Sequence, residues 1–250
     1  VVTAAVSVRG VSKAFGDHVV LDRVDLELHE GENLVVVGRS GSGKSVLVKL
    51  VAGLLTPDAG VVHVLGQDVH HLRRKALTTL RVQLGFSFQG SALYDGMDVR
   101  NNLSFPLRVN HPELSAAELD ERVVEALAAV GLPDTAERMP SELSGGQRKR
   151  IGVARALILR PRVMLYDEPT AGLDPITSGE INALVLAVRE RYHTSAIVIT
   201  HDLACAHAVG DRVAVLAEGR VATVGTYAEV FGSDDPLARG FSAYAATVAA

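Results

Sequence analysis

The sequence predicts an α/β fold: a mainly parallel sheet covered by helices, joined to an antiparallel β subdomain and carrying an inserted helical subdomain. Three observations predict it. Continuous apolar runs recur, Leu34-Val35-Val36-Val37, Val163-Met164-Leu165-Tyr166 and Ala196-Ile197-Val198-Ile199, with helical patterns between them. Such runs mark parallel strands covered on both faces. The first thirty residues instead alternate, with Val6 and Val8 and then Val24, Leu26 and Leu28 at period two, as half-buried antiparallel strands do. Between Phe88 and Val163 no strong strand pattern occurs, so approximately residues 90–160 read as helical.

The elements follow in order. Beyond Val37 a glycine loop opens a helix whose apolar positions are Val46, Leu47, Leu50 and Val51. Ser115 to Val130 is helical: Ser115 and Glu118 form a capping box, Leu119, Val123, Leu127 and Val130 share a face, and Gly131 closes the end. A further helix is expected over Arg148 to Leu159, and Arg212 to Val224 reads as a hairpin around Glu218-Gly219. The alanine-rich C-terminus reads as a short helix or frayed tail. Residues 1–250 thus form one domain with its helical insertion.

Composition narrows the function. With 48% hydrophobic and 22% charged residues the chain can bury a sizeable core. Its 25 basic and 29 acidic residues give −4, which carries no polynucleotide signature. The single cysteine, Cys205, excludes an internal disulfide and fits a reducing compartment. No apolar run reaches the ~18 residues of a membrane helix, Ile151 to Leu159 being interrupted by Arg155, and no signal-peptide pattern opens the chain. The expectation is a soluble intracellular protein that needs another chain to span any membrane it serves. Arg148-Lys149-Arg150 and Arg73-Arg74-Lys75 read as solvated helix faces, and Cys205 as a small residue packed after His201.

The chemistry lies in three motifs. Gly38-Arg39-Ser40-Gly41-Ser42-Gly43-Lys44-Ser45 follows a buried strand and opens a helix, the setting a phosphate-binding loop requires. Its glycines turn backbone N–H groups inward and the helix start adds its dipole. Gly38, Ser40, Gly41, Gly43, Lys44 and Ser45 are therefore nucleotide-binding candidates, with Lys44 on the β- and γ-phosphates and the Ser45 hydroxyl on Mg²⁺. A chance glycine turn of this pattern occurs in about one chain in a hundred of this length. Asp167-Glu168 ends the strand Val163–Tyr166, where Asp167 can hold Mg²⁺ and Glu168 can polarise a water; alone, the pair could simply start a helix before Pro169. Ser144, Gly145, Gly146 and Gln147, after Leu143, make a second anion cradle at a helix start. That five-residue string arises by chance in about one such chain in three thousand.

Together these motifs resemble the nucleotide-binding domain of ABC ATPases, over nearly the whole chain. The resemblance implies a P-loop NTPase core and adds Phe15 against adenine, although Tyr is commoner there, Gln89 in the Q-loop, Asp174 in the D-loop and His201 as switch histidine. It further implies ATP and Mg²⁺, with Gln89 also a metal ligand, and two chains meeting head to tail so that each ATP lies between one P-loop and the other chain's signature. Glu168 would be the general base, assisted by His201 and Gln89. Gln89 and Ser144 are 144 − 89 = 55 residues apart, which leaves no room for the long coiled coil of chromosome-maintenance relatives, so a nucleic-acid ATPase is the lesser alternative and no nucleic-acid partner is expected. The wording Ser91-Ala92-Leu93-Tyr94-Asp95, Met97-Asp98-Val99-Arg100-Asn101-Asn102 and Phe105-Pro106-Leu107, with Met139-Pro140-Ser141-Glu142 and Asp174-Pro175-Ile176-Thr177-Ser178, is similar to the ATPase of bacterial Mla/MCE phospholipid transport systems. That implies a peripheral subunit on the cytoplasmic face of the inner membrane, an integral-membrane permease, an MCE-domain protein and a small regulatory subunit. Importers of polar solutes share much of the wording and stand as the alternative, without the appended regulatory domain of some sugar and methionine importers. Tyr94, Met97, Val99 and Phe105 are the expected permease-facing patch.

Overall fold

The computed structural model describes residues 4–232 and 240–241. β1 (Ala4–Phe15) and β2 (His18–His29) pair antiparallel, with Val8 opposite Leu26 and Val11 opposite Val24. β3 (Asn33–Val37) and α1 (Lys44–Val51) follow, and β4 (Ala59–Val64) returns to pair with β1, with β5 (Gln67–Asp68) beside it. α2 (Arg74–Val82) leads into β6 (Leu84–Ser87). The middle holds α3 (Val99–Asn110), α4 (Ala116–Ala129) and α5 (Gly145–Leu157), with 3-10 turns at Pro133–Thr135 and Pro140–Glu142. β7 (Val163–Asp167), α6 (Pro175–Tyr192), β8 (Ser195–Thr200), α7 (Leu203–Val209), the hairpin β9 (Arg212–Ala217) and β10 (Arg220–Gly225), and α8 (Tyr227–Phe231) complete the described chain. The alanine-rich end lies outside the described residues.

The strands form an antiparallel sheet ordered β2-β1-β4-β5 and a second sheet ordered β10-β9-β3-β8-β7-β6. In the second, neighbours from β9 to β6 run parallel and only β10 opposes its neighbour. The apolar runs now have their explanation. Val35, Val37, Met164, Tyr166, Ala196 and Val198 face a core shared with α3, α4, α5 and α6. Leu34, Val36, Val163, Leu165, Ile197 and Ile199 face a second core shared with α1 and the antiparallel sheet. Side chains alternate across a strand, so a strand between two cores has no polar face to show. Each such side chain contributes about 1.5–3 kcal/mol on burial.

Local sequence sets the helix ends. Ser115 and Glu118 close the expected capping box, and the Leu132 N–H bonds back to the Leu127 carbonyl past Gly131, at φ +70°. Two expectations are corrected. α5 starts at Gly145 rather than Arg148, because Ser144 caps it and Gly145, Gly146 and Gln147 form its first turn. Val99 is fully buried in the core under α3 rather than part of an exposed patch, because Asp98 caps α3 and turns the first residue of the helix inward.

Candidate functional site

The sheet order gathers the sequence motifs. The loop of residues 38–43 leaves β3, Thr200 and His201 leave β8, Asp167 and Glu168 end β7, and Gln89 follows β6. These strands are neighbours, and Val37 pairs with Thr200 while Asp167 pairs with Ile199. All four segments thus emerge at the carboxyl edge, where ligands sit in open α/β sheets.

The loop is shaped by close packing. A Cβ on Gly38 would lie 2.4 Å from the Leu216 carbonyl oxygen and 2.5 Å from Ser42 Oγ. Gly43 has φ +102° and its position would drive a Cβ to 2.7 Å from Leu21 Cδ2, so the β1–β2 hairpin adjoins the loop a few residues from its tip. Phe15, at that tip, is half exposed, with the Lys13 ammonium 5.6 Å from its ring centre. Gly43 gives α1 no side-chain cap, so the first N–H groups of α1 keep no side-chain partner at a terminus that favours anions. Ser42 Oγ is buried with no hydrogen-bond partner among the described residues. Lys44 is buried, and its ammonium donates to the carbonyls of Gly38 (2.7 Å) and Arg39 (3.2 Å) and stands 3.9 Å from Glu168 Oε1. Burial holds its pKa below the usual lysine range, opposed by the charges of Glu168 and Asp167.

Glu168 is the hub. Its backbone takes the left-handed conformation, φ +50°, and its N–H donates to the Ile199 carbonyl at 2.9 Å. Its Oε2 accepts from the Thr200 hydroxyl (3.2 Å) and lies 2.9 Å from His201 Nδ1. Asp167 beside it has its carboxyl pKa raised, by burial first and then by the Glu168 charge, against the pull of Lys44, Lys49 and Lys149.

The second cradle differs. Ser144 Oγ accepts from the Gln147 N–H (3.2 Å), and the Gln147 side chain accepts from the Ser144 N–H (3.0 Å). Ser144 and Gly145 are exposed, while Gly146 is buried against Thr177. Asp174 caps α6, accepting from the N–H groups of Ile176 and Thr177 and from the Thr177 hydroxyl at 2.6 Å; that hydroxyl contact leads in holding its carboxyl below the usual range. The Ser144 and Gln147 side chains thus bond to each other's main chain.

The segment after Gln89 is pinned from two sides. Asn102, fully buried on α3, accepts from the Tyr94 N–H (2.7 Å) and donates to the carbonyls of Tyr94, Met97 and Asp98. Tyr94 and Phe105 are exposed and meet edge-to-face at 5.5 Å, with the Arg155 guanidinium 4.5 Å from the Tyr94 ring centre. The Gln89 side chain is exposed. Arg148-Lys149-Arg150, expected as a solvated face, is one only in part: Arg148 is exposed and Arg150 half-buried, but Lys149 is not at the surface. Lys149 is buried and donates to the carbonyls of Gln89 and Glu168, Arg148 donates to the Leu143 carbonyl, and Arg150 pairs with Glu180. Lys149 and Thr200 were missed as site residues. The signal for Lys149 was its place on the buried stripe Gly146, Lys149, Val153, Leu157, at helical spacing. Arg73, Arg74 and Lys75 are exposed as expected. Cys205 is buried and its thiol is pushed up to about 12, so it supplies no nucleophile.

These residues fit a nucleotide's phosphates: an uncapped helix start, a buried unpartnered hydroxyl and a buried ammonium converge on one loop. They also fit a divalent cation, since a half-buried carboxyl beside a second one is relieved by positive charge. Among the described residues no cluster of three His, Cys, Asp or Glu could hold a metal by itself, so a cation here would need donors besides these side chains.

Comparison with known proteins points the same way. The family model described as ABC transporter matches residues 21–171. The methionine import ATP-binding protein MetN of Nocardia farcinica is 40% identical over 92% of this chain and 69% of its own length. The probable ribonucleotide transport ATP-binding protein mkl of Mycobacterium leprae is 35% identical over 95% of this chain and 68% of its own, so the chain spans about two thirds of each. A solved dimeric ATP-binding cassette, in a post-hydrolysis state bound to ADP and Pi, superposes with a TM-score of 0.81 at 31% identity, over 89% of this chain and 98% of that one. Among the described residues no helix is long and apolar enough to cross a membrane.

Proposed function

Since the chain belongs to the ABC transporter family, as an ATP-binding subunit that hydrolyses ATP, we propose that it powers phospholipid transport at a bacterial membrane, through a permease and an MCE-domain protein. The observation that carries the lipid reading is the wording of residues 91–107, with its support in residues 139–142 and 174–178. This segment presents outward Tyr94, on a turn held by Asn102, and Phe105, on α3. It sits directly after Gln89, so a displacement of Gln89 when the site closes reaches whatever docks there.

The chemistry follows from the site. Phe15 stacks on adenine, and the loop N–H groups with Lys44 and Ser45 hold the phosphates. Glu168 accepts the proton of the attacking water, and its left-handed backbone aims the carboxylate at His201 and Lys44. His201 holds that carboxylate and the γ-phosphate side. Ser45, Asp167 and Gln89 would hold Mg²⁺, which when bound neutralises phosphate charge. A second copy, docked head to tail, supplies Ser144, Gly145, Gly146, Gln147 and Asp174 to the opposite face of the nucleotide. Most of the rate then comes from positioning and charge stabilisation.

A second reading, import of a polar solute, is favoured by the 40% identity to a methionine import protein. Reconstitution decides between them. The subunit with its permease and MCE-domain partner in proteoliposomes is expected to move phospholipid only with ATP. Tyr94→Asp is expected to abolish that transfer while ATP turnover by the subunit alone persists. A complex that moves methionine or another polar solute, with phospholipid transfer indifferent to ATP, overturns the lipid reading.

A further inference from the structure

The parallel pairing of β6 with β7 ends at Ser87 opposite Tyr166. Gln89 and Glu168 each lie two residues beyond that last pair, where the two chains leave the sheet and no ladder bond joins them. The Lys149 ammonium stands in that gap. It is 8% exposed and donates to the main-chain carbonyl of Gln89 and, at 3.1 Å, to that of Glu168. We propose that Lys149 is a positioning residue for ATP hydrolysis, which fixes the main chain of Gln89 relative to that of Glu168 and so the place of both side chains at the site. This rests on reading Glu168 as the general base.

The geometry argues for the bridge at both ends. Glu168 is a non-glycine residue held at φ +50°, a conformation that persists only where its surroundings enforce it. The Ile199 carbonyl holds its N–H and Lys149 holds its C=O, so the peptide is gripped on both sides and the carboxylate direction follows. Gln89 is exposed and β6 is an edge strand, so its main chain needs an anchor from outside the sheet. The same face of α5 continues the grip. A Cβ at Gly152 would lie 3.2 Å from the Cβ and carbonyl oxygen of Ser91, and Arg155 donates to the Ala92 carbonyl. Ser91 and Ala92 are both left-handed, at φ +63° and +49°. Positions 149, 152 and 155 thus key the helix capped by Ser144 onto residues 89–92. Within one chain, a shift of that helix is carried to Gln89 and Glu168 together. Burying an ammonium costs desolvation, and the two charge-assisted bonds that offset it fall on the two segments that hydrolysis uses.

The test is a series at Lys149 in the full chain, with ATP turnover, direct ATP titration and thermal unfolding measured on each variant. Lys149→Met keeps the aliphatic stem and removes both bonds. We expect kcat to fall roughly 10- to 100-fold with ATP affinity within about threefold of wild type. Lys149→Arg, which can still donate to both carbonyls, should recover much of the rate, and Lys149→Gln should fall between and serves if the Met variant does not fold. In a Glu168→Gln background, Lys149→Met should add less than its full loss, because part of its effect acts through the Glu168 carboxylate. Turnover near wild type in the Met and Gln variants overturns the proposal. So does a loss that tracks unfolding temperature and is not relieved by Arg, or one fully additive with Glu168→Gln. Near wild-type turnover in Glu168→Gln alone would instead remove the general-base reading, an outcome distinct from these.

Discussion

Two glycine-rich helix starts face different tasks in this molecule. α1 begins after Gly43 with no side-chain cap, a buried unpartnered Ser42 hydroxyl and a buried Lys44. α5 begins after Ser144 with a capping box closed on itself. In sequence both read as anion cradles; in structure the first helix start has no side-chain cap while the second is a finished helix terminus. The difference teaches that a Gly-rich helix start binds phosphate on its own only where the cap is withheld. The α5 start adds an exposed rim that a second copy's nucleotide can complete.

The largest effect expected from this contrast is at Lys44. Lys44→Ala should weaken ATP binding by ~10-fold or more, while Ser144→Ala should leave binding to the isolated chain near wild type and depress turnover. Equal losses of affinity in both would erase the distinction. Mixing the two variants should restore part of the turnover, because one P-loop and one signature remain intact per pair; heterodimers without recovery would break the idea that the α5 rim serves another copy. Next in size is packing beneath that rim. A Cβ at Gly146 would lie 2.6 Å from Thr177 Cγ2, but one at Gly145 only 3.6 Å from Leu173 Cδ2. Gly146→Ala should therefore cost about 1–3 kcal/mol and Gly145→Ala almost nothing, read from denaturant midpoints. Ser144→Ala should cost about 1 kcal/mol as a lost cap, measured in the same way.

The smallest effect is at Asp167, on the α1 side. Its carboxyl pKa is raised in the fold by burial and by Glu168, so the unfolded chain ionises it first. Stability is lost as pH climbs from the unfolded value of about 3.9 through the folded one, and the loss stays in place at neutral pH. Asp167→Asn should thus raise Tm by ~1–4 °C at pH 7, with the gain shrinking as pH falls toward 4, while ATP turnover drops. No gain at pH 7 would mean that Lys44, Lys49 and Lys149 outweigh the burial.

Much of this was legible beforehand for a physical reason. Strand runs, the Ser115–Glu118 box, the Gly131 stop and the Glu218-Gly219 hairpin are local, set by side-chain period and backbone freedom within a few residues. That residues 38–45 and Asp167-Glu168 lie at strand ends was legible too, because such motifs set fixed residue types at fixed spacing beside strands. What the sequence by itself determined is therefore the identity of the elements and of the residues at their ends. Only the tertiary structure decided which face of each element meets another. Val99 went into the core because α3 docks there, and Lys149 left the solvent because the carbonyls of Gln89 and Glu168, past the last β6–β7 pair, accept from it. A charged or apolar residue carries its propensity with it, but which carbonyl it meets depends on contacts 60 residues away in the chain; the stripe Gly146, Lys149, Val153, Leu157 marks only the helix face, not the partner.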